Sequence, residues 1–509
     1  MSADSVMPVP VASISEIPGL GGLDGVDVGE ERRAWLRDVA LAGPAAVLGR
    51  ALHDARRDGL FERLVAPGQL EQALADAGHI DGRKRSLPGA ATVNAVLGLA
   101  LHSGEGYDSV LAKMAPHLRG GTLLPGQVPS ASALSQSRVR LGEQPLYRLF
   151  LAQAADRPPA HGPGAYALGL HVTGFDGTCL ELAGDEALIE AFGLPTGAKH
   201  PMARVVTLVA CTTRRILAAA IGSYLTSEQE LVDQLAEHLR AGTVNLADRN
   251  FFSMDRWLRF AATGAHLLWR VKNGATSLPA RILERLPDGS YLVRLRESDG
   301  MRGKRRAQNA DPGAERLPET TARLVEFDVT VADERGRTRT SRIRLLTTLL
   351  DHERYPAKDL AGLYAERWQV EIAYLRLKKE LRGPGTVLRA RRPQLVRQEI
   401  WAFLIVYNLL CDLAADAAAL DGIDPDQISF VTVIRLTRTH LSTDQPCTHC
   451  GHRPEHPRQA LTSAIADIPR NRTGRGRTSP RTSTERNNGH TQKAHYTITI
   501  AEANLLKAD

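Results

Sequence analysis

A chain of 509 residues, 43% hydrophobic and 24% charged, is globular in composition and longer than one ordinary domain; at about 150 residues each it divides into two to four. Its net charge of +7 and pI near 9.2 favour a polyanionic partner, although charge alone speaks to attraction and not to fold. Five cysteines, at positions 179, 211, 411, 447 and 450, are too few and too scattered for a disulfide framework and point to a reducing cytoplasm.

The N-terminus, MSADSVMPVPVASISEI, lacks a basic leader ahead of an apolar core, so no secretory signal is expected. Residues 1–28 are rich in Pro, Gly and Ser without a period and read as a loose leader. Between 29 and 156 the pattern is helical, in ERRAWLRDVALAG, PAAVLGRALHDARRDG, GQLEQALADAG, TVNAVLGLALHSG, DSVLAKMA and SASALSQSRVRLG. Several of these segments stop at a glycine, as helix C-caps do. The last carries Arg138 and Arg140, and GRKRS at 82–86 adds a second basic cluster. A helical N-terminal DNA-binding domain is the expectation.

RPPAHGPGAY at 157–166 is a Pro/Gly linker, after which the period becomes that of strands. HVTGFDGTCLELA, MARVVTLVACTT and RRILAAAIGSY read as three successive strands, the last two forming a hairpin. SEQELVDQLAEHLRAG opens with a capping box at Ser227 and Glu230. GTVNLADRNF is a short buried strand ending in Asp248, SMDRWLRFAATG a helix, and HLLWRVK a further strand. Three strands, a helix and another strand is the order of a ribonuclease H-like α/β domain, placed here at 165–272 and 349–412. Residues 273–348 alternate as strands around a charged loop and read as a β-rich insertion.

LAGLYAERWQVEIAYLRLKKEL, from Leu360 to Leu381, follows the insertion. On a uniform helix Tyr364, Arg367, Glu371 and Lys378 fall within roughly 60° of one another, beside an apolar stripe. Trp368 points away from them, toward a core. IWAFLIVYNLLCDLAADAAAL, from Ile400, meets Asn408, Asp412 and Asp416 within its span and reads as a core helix, not a membrane span. Residues 413–456 continue as a helical C-terminal region. Residues 457–509 form a basic tail, with six arginines between Arg470 and Arg486, that is expected to be disordered until it meets an anion.

Asp176 inside a strand, Asp248 at a strand end and Glu371 on the helix each occupy positions that such a fold brings to one sheet edge. A carboxylate cluster repels itself and raises its own pKa values, a cost that a divalent cation removes. Hard oxygen ligands suit Mg²⁺ or Mn²⁺, and two such ions about 3.5 to 4 Å apart support in-line phosphoryl displacement. Separately, Asp176 before Gly177 could mark a turn and Asp248 could cap the next helix. Arg367 offers bidentate phosphate recognition, Lys378 a mobile point charge, and Tyr364 a phosphate hydrogen bond or base stacking.

The spacing Tyr364, Arg367, Glu371, Lys378 resembles the Y-(2)-R-(3)-E-(6)-K signature of the insertion sequence 4 family of DDE transposases. DGT at 176–178 and ADRNF at 247–251 resemble the family's motifs around its first two catalytic aspartates. The likeness runs over roughly 165–410. It implies that Asp176, Asp248 and Glu371 are catalytic and hold metal, that Tyr364, Arg367 and Lys378 contact transposon-end DNA, and that two chains assemble around paired ends. Cut-and-paste transposition on double-stranded DNA, away from membranes, is the function implied. A ribonuclease H-like nuclease that cuts without joining and an end-binding protein without catalysis are the alternatives. CTHCGHRPEH at 447–456 holds Cys447, Cys450, His452 and His456, but the pairs stand too close for a usual zinc finger, and the resemblance offers no support for zinc.

Overall fold

The strands read from the sequence assemble into a single mixed sheet. The computed structural model describes residues 68–81, 86–118, 127–155, 166–274, 278–308, 313, 315–332, 338–442, 457–468 and 495–503. The leader, the first two expected helices, nearly all of GRKRS, the Pro/Gly linker up to residue 165, the Cys447 to His456 cluster and the arginine run lie outside the described residues.

Among the described residues, five α-helices come first: α1 (Gln69–Asp76), α2 (Gly89–Leu101), α3 (Tyr107–Met114), α4 (Ala131–Leu141) and α5 (Gln144–Ala155). Next come β1 (Tyr166–Ala167), β2 (Leu170–Glu181), α6 (Glu186–Phe192), β3 (Met202–Ala210), β4 (Ile216–Ser223), α7 (Glu228–Asp233), β5 (Thr243–Ala247), α8 (Met254–Ala261) and β6 (His266–Val271). Helix α6 interrupts what the sequence presents as three uninterrupted strands; Asp185 caps it, accepting from the Ala187 amide. The Ser227 hydroxyl caps α7 by accepting from the Glu230 amide, as the capping box requires.

Strands β4, β3, β2, β5 and β6 lie in that order. Both β3 pairings are antiparallel, and β5 is parallel to β2 and β6. This is the strand order of the expected ribonuclease H-like core. Alternation along β2 divides its side chains between two apolar cores. Val172 joins one; Phe175 joins the other, an aromatic cluster with Phe260 stacked edge-on at 5.7 Å and Trp257 and Trp269 beyond it.

The insertion comprises β7 (Ala280–Arg285), β8 (Tyr291–Leu295), α9 (Asp299–Gln308), β9 (Thr320–Ala332) and β10 (Thr338–Thr347). Its strands extend the sheet, because β10 pairs antiparallel with β6 and the order continues β10, β9, β8, β7. The charged loop expected between the strands holds α9, where Arg305 binds the buried carboxylate of Glu297 at 2.7 Å. Arg344 and Glu326 pair at 2.6 Å inside the extension with 0% and 1% exposure, so neither charge is solvated.

After the insertion come α10 (Ala357–Leu363), a tight 3₁₀ turn at Tyr364–Arg367, α11 (Trp368–Leu375) and a wide π turn at Arg376–Leu381. The uniform helix expected over 360–381 is therefore corrected to a helix with one overwound and one underwound turn. Helix α12 (Pro393–Leu420) runs through the core, with 78% of its most apolar window buried. The polar residues within it are satisfied. Asn408 accepts from the Ile216 amide and donates to the Ile216 carbonyl, each at 2.8 Å, and Asp412 pairs with Arg215 at 3.1 Å.

The N-terminal helices pack onto this same helix. Arg138, expected in a DNA-facing basic cluster, is 3% exposed and donates to Gln398 of α12 at 2.8 Å and to the Tyr107 hydroxyl at 2.8 Å. Buried against α12, this guanidinium is not on a surface that DNA could meet. Arg140, two residues on, is exposed. Helix α13 (Phe430–Ser442) continues the helical C-terminal region.

The basic tail is corrected at both described stretches. Helix α14 (Pro457–Ala466) packs on α12, with Arg458 paired to Asp416 at 2.7 Å. Strand β11 (His495–Ile500) pairs antiparallel with β9, and Ile498 and Ile500 pack against the core. Its alternating apolar residues and the open side of β9 supply what charge composition hides.

Candidate active site

Asp176 lies in the middle of β2 between two glycines, each with a steric reason. A side chain at Gly174 would place its first carbon 2.8 Å from Val370, so the glycine lets α11 lie close against the strand. At Gly177 that carbon would stand 2.5 Å from a carboxylate oxygen of Glu228. Asp176 therefore sits where a helix and a second carboxylate both approach. Burial pushes its pKa up from 3.8 to about 6, against the pull of Arg367 and the Gly177 amide; Glu371 and Glu228 push the same way as burial.

Arg367 stands among the acids. Its guanidinium reaches Glu371 at 2.9 Å and Asp176 at 3.5 Å. Burial alone would lower its pKa, but Tyr364, Asp176, Asp248 and Glu371 together hold it above the ordinary arginine value. Two of the predicted carboxylates, from positions 176 and 371, thus meet one cation.

Tyr364 is buried, and its hydroxyl donates to the Ala247 carbonyl at 3.4 Å, at the end of the strand that delivers Asp248. Burial raises its pKa, so it remains a neutral donor. Asp248 accepts from the Arg249 amide at 2.7 Å and faces Arg270 at 3.9 Å. Lys378, on the π turn, donates to Thr178 at 3.2 Å, and burial lowers its pKa with help from Arg382. The irregular turns still bring the four signature side chains to β2 and β5. Trp368 is half-buried.

Three residues of the site escape the sequence reading. Tyr374 donates to the main-chain carbonyl of Asp176 at 2.5 Å. Glu228 accepts from Asn250 at 2.9 Å, two residues beyond Asp248. Arg270 faces Asp248 from β6. Only Tyr374 leaves a local signal, being one helical turn after Glu371 on the same face. A cavity of about 1060 Å³ lined by His171, Arg215, His238 and Asp412 contains none of the three acids.

Residues 171–409 match a family described as the transposase DDE domain, and 57–151 match the insertion element 4 transposase N-terminal region. The chain is 30% identical over 431 residues to the transposase InsG for insertion sequence element IS4 of Escherichia coli (strain K12), covering 82% of this chain and 90% of that one. The chain belongs to the insertion sequence 4 family of DDE transposases. It is a DNA transposase. A shorter stretch, 69 residues at 39% identity, matches the transposase for insertion sequence element IS421 of Escherichia coli, covering 14% of this chain and 18% of that one. A piggyBac transposase synaptic complex with hairpin DNA aligns over 83% of this chain and 86% of its own, at 12% identity and a TM-score of 0.38.

Membership of a DDE family implies divalent metal use in general. Among the described residues no three acidic, histidine or cysteine side chains stand close enough to enclose an ion together. The donor set nevertheless has the right chemistry for one. Asp176, Asp248 and Glu371 offer hard oxygens, and the first and last of them face Arg367. The transposase thus balances the self-repulsion of its acids with a guanidinium, the same compensation that a metal ion supplies.

Proposed function

We propose that this transposase cleaves DNA at the inverted-repeat ends of its element and joins those ends to target DNA, using Asp176, Asp248 and Glu371 as catalytic carboxylates. The observation that carries the reading is the geometry at Arg367, which reaches Glu371 at 2.9 Å and Asp176 at 3.5 Å, while Tyr364 of the same turn bonds the Ala247 carbonyl next to Asp248. Two Mg²⁺ or Mn²⁺ ions bound by the carboxylates would activate the attacking water or 3′-hydroxyl and stabilise the leaving oxygen. Arg367 has the planar fork for a bridging phosphate, and Lys378 adds a point charge from the next turn. Tyr364 spends its hydroxyl on the Ala247 carbonyl, which suits it to holding β5 and Asp248 in place while the two cations meet the DNA. Burial of Arg138 leaves Arg140 as the exposed arginine of α4 for N-terminal DNA contacts.

Each chain carries one carboxylate set, so processing two ends together calls for two chains, and a symmetric pair is the commonest soluble assembly. Purified protein with Mg²⁺ and a duplex carrying the element's ends tests the chemistry. Joined products are expected from wild type, and D176N, D248N and E371Q should bind ends yet leave them uncut. Mg²⁺-dependent cleavage by E371Q overturns the assignment; cleavage without joining by wild type favours a nuclease. Mixing E371Q with wild type tests the pair: joining should fall near the square of the wild-type fraction, and a linear fall means independent subunits.

A further inference from the structure

We propose that Tyr374 is a positioning residue for strand cleavage: its hydroxyl sets the strand of Asp176 against the helix of Glu371. The proposal rests on the reading of Asp176 and Glu371 as catalytic.

Tyr374 belongs to α11, three residues after Glu371, and is buried. Its hydroxyl carries one proton, and donates it to the Asp176 main-chain carbonyl at 2.5 Å. The Thr207 hydroxyl, 2.7 Å from the same oxygen, then serves as donor to the tyrosine. Thr207 is itself fully buried and lies directly opposite Asp176 in the β2–β3 register. Three elements, α11, β2 and β3, thus meet at one phenol oxygen.

This meeting point lies where the sheet stops holding β2 on its other side. The ladder between β2 and β5 ends at Gly174 opposite Leu246, so Asp176 stands two residues beyond its last rung. Gly174 admits Val370 against the strand and sets how closely α11 lies. Tyr374 then adds a directional bond, which apolar contact cannot supply. An error of about 1 Å in a reacting group costs on the order of a hundredfold in rate, and this bond ties the Asp176 main chain to the helix turn that carries Glu371.

The test compares full-length wild type, Y374F, T207V, T207S and D176N on a duplex carrying the element's terminal sequence with Mg²⁺. Three quantities are measured: end affinity by gel shift, single-turnover cleavage rate at saturating protein, and melting temperature. Y374F and T207V should slow cleavage by about tenfold or more, a part of the misplacement cost, with end affinity unchanged, while T207S keeps the wild-type rate. Wild-type cleavage by Y374F overturns the proposal, as does a rate loss that follows lost affinity and lowered melting temperature together. If Y374F does not fold, the T207S and T207V pair decides: equal rates in the two overturn it. Cleavage by D176N is a separate failure, that of the active-site assignment itself.

Discussion

A carboxylate oxygen of Glu228 lies 2.5 Å from the point where a side chain on Gly177 would begin. The glycine after Asp176 is thus an opening through which α7 brings a further acid to β2. Gly177→Ala should force Glu228 to swing away and release Asn250. Overpacking of this kind costs about 1 to 3 kcal/mol. Glu228→Ala in the same chain should recover most of that loss, since residues in contact do not add independently. Chemical denaturation of the four proteins of this cycle measures the coupling, and strictly additive losses would place the strain elsewhere.

Arg367 and Lys378 sit at the acidic edge with donors suited to phosphate. On duplex DNA, a protein that engages one phosphate fewer should show a log-log slope of end affinity against salt that is shallower by about 0.9. Arg367→Ala and Lys378→Ala are expected to flatten the slope individually, and gel shifts over a salt series measure it. Abolished cleavage with an intact slope would mean that the residue organises the carboxylates only.

Arg344 and Glu326 make a buried pair in the sheet extension. Glu326→Ala leaves the buried guanidinium without its counter-charge, though still bonded to the Lys272 and Gly274 carbonyls, and should cost about 3 to 5 kcal/mol, whereas replacing both by apolar residues of similar volume should cost far less. Unfolding in urea separates the two cases. Equal destabilisation by the single and double replacements would contradict the desolvation account.

His102, at the C-terminal end of α2, is buried, and burial pulls its pKa from 6.5 to about 4. The folded state therefore favours the neutral ring. The stability this contributes is whole above pH 6.5 and is lost as pH falls through about 4. Glu105 is held down from 4.5 to about 2, chiefly by its hydrogen bond from Lys113, so its contribution is whole above pH 4.5 and fades toward 2. Melting temperature should accordingly begin to fall below pH 6.5, and His102→Gln should remove the upper part of that fall. The same pH dependence in both proteins would assign the titration to another group.

Much of the order of elements, the motifs that hold Asp176, Asp248 and Glu371, and the family itself were legible in the amino-acid sequence, because each leaves a pattern within a short window. Alternation marked β2 to β6, the capping residue Ser227 marked the start of α7, and the Tyr364, Arg367, Glu371, Lys378 spacing marked the site. What the tertiary structure alone decided concerns partners distant in the chain. Arg138 reads as a surface cation until Gln398, 260 residues away, is found beside it. Alternation showed the insertion strands but not their neighbour, and only the pairing of β10 with β6 makes them part of the main sheet. The tail's charge masks β11, which is ordered through the backbone of β9. Tyr374 and Glu228 belong to the site because the fold brings them to β2, one on the Asp176 carbonyl and one in the space left by Gly177. Local pattern records which face of an element is apolar; which buried donor meets which acceptor depends on contacts between residues far apart in sequence, and these exist only once the chain has folded.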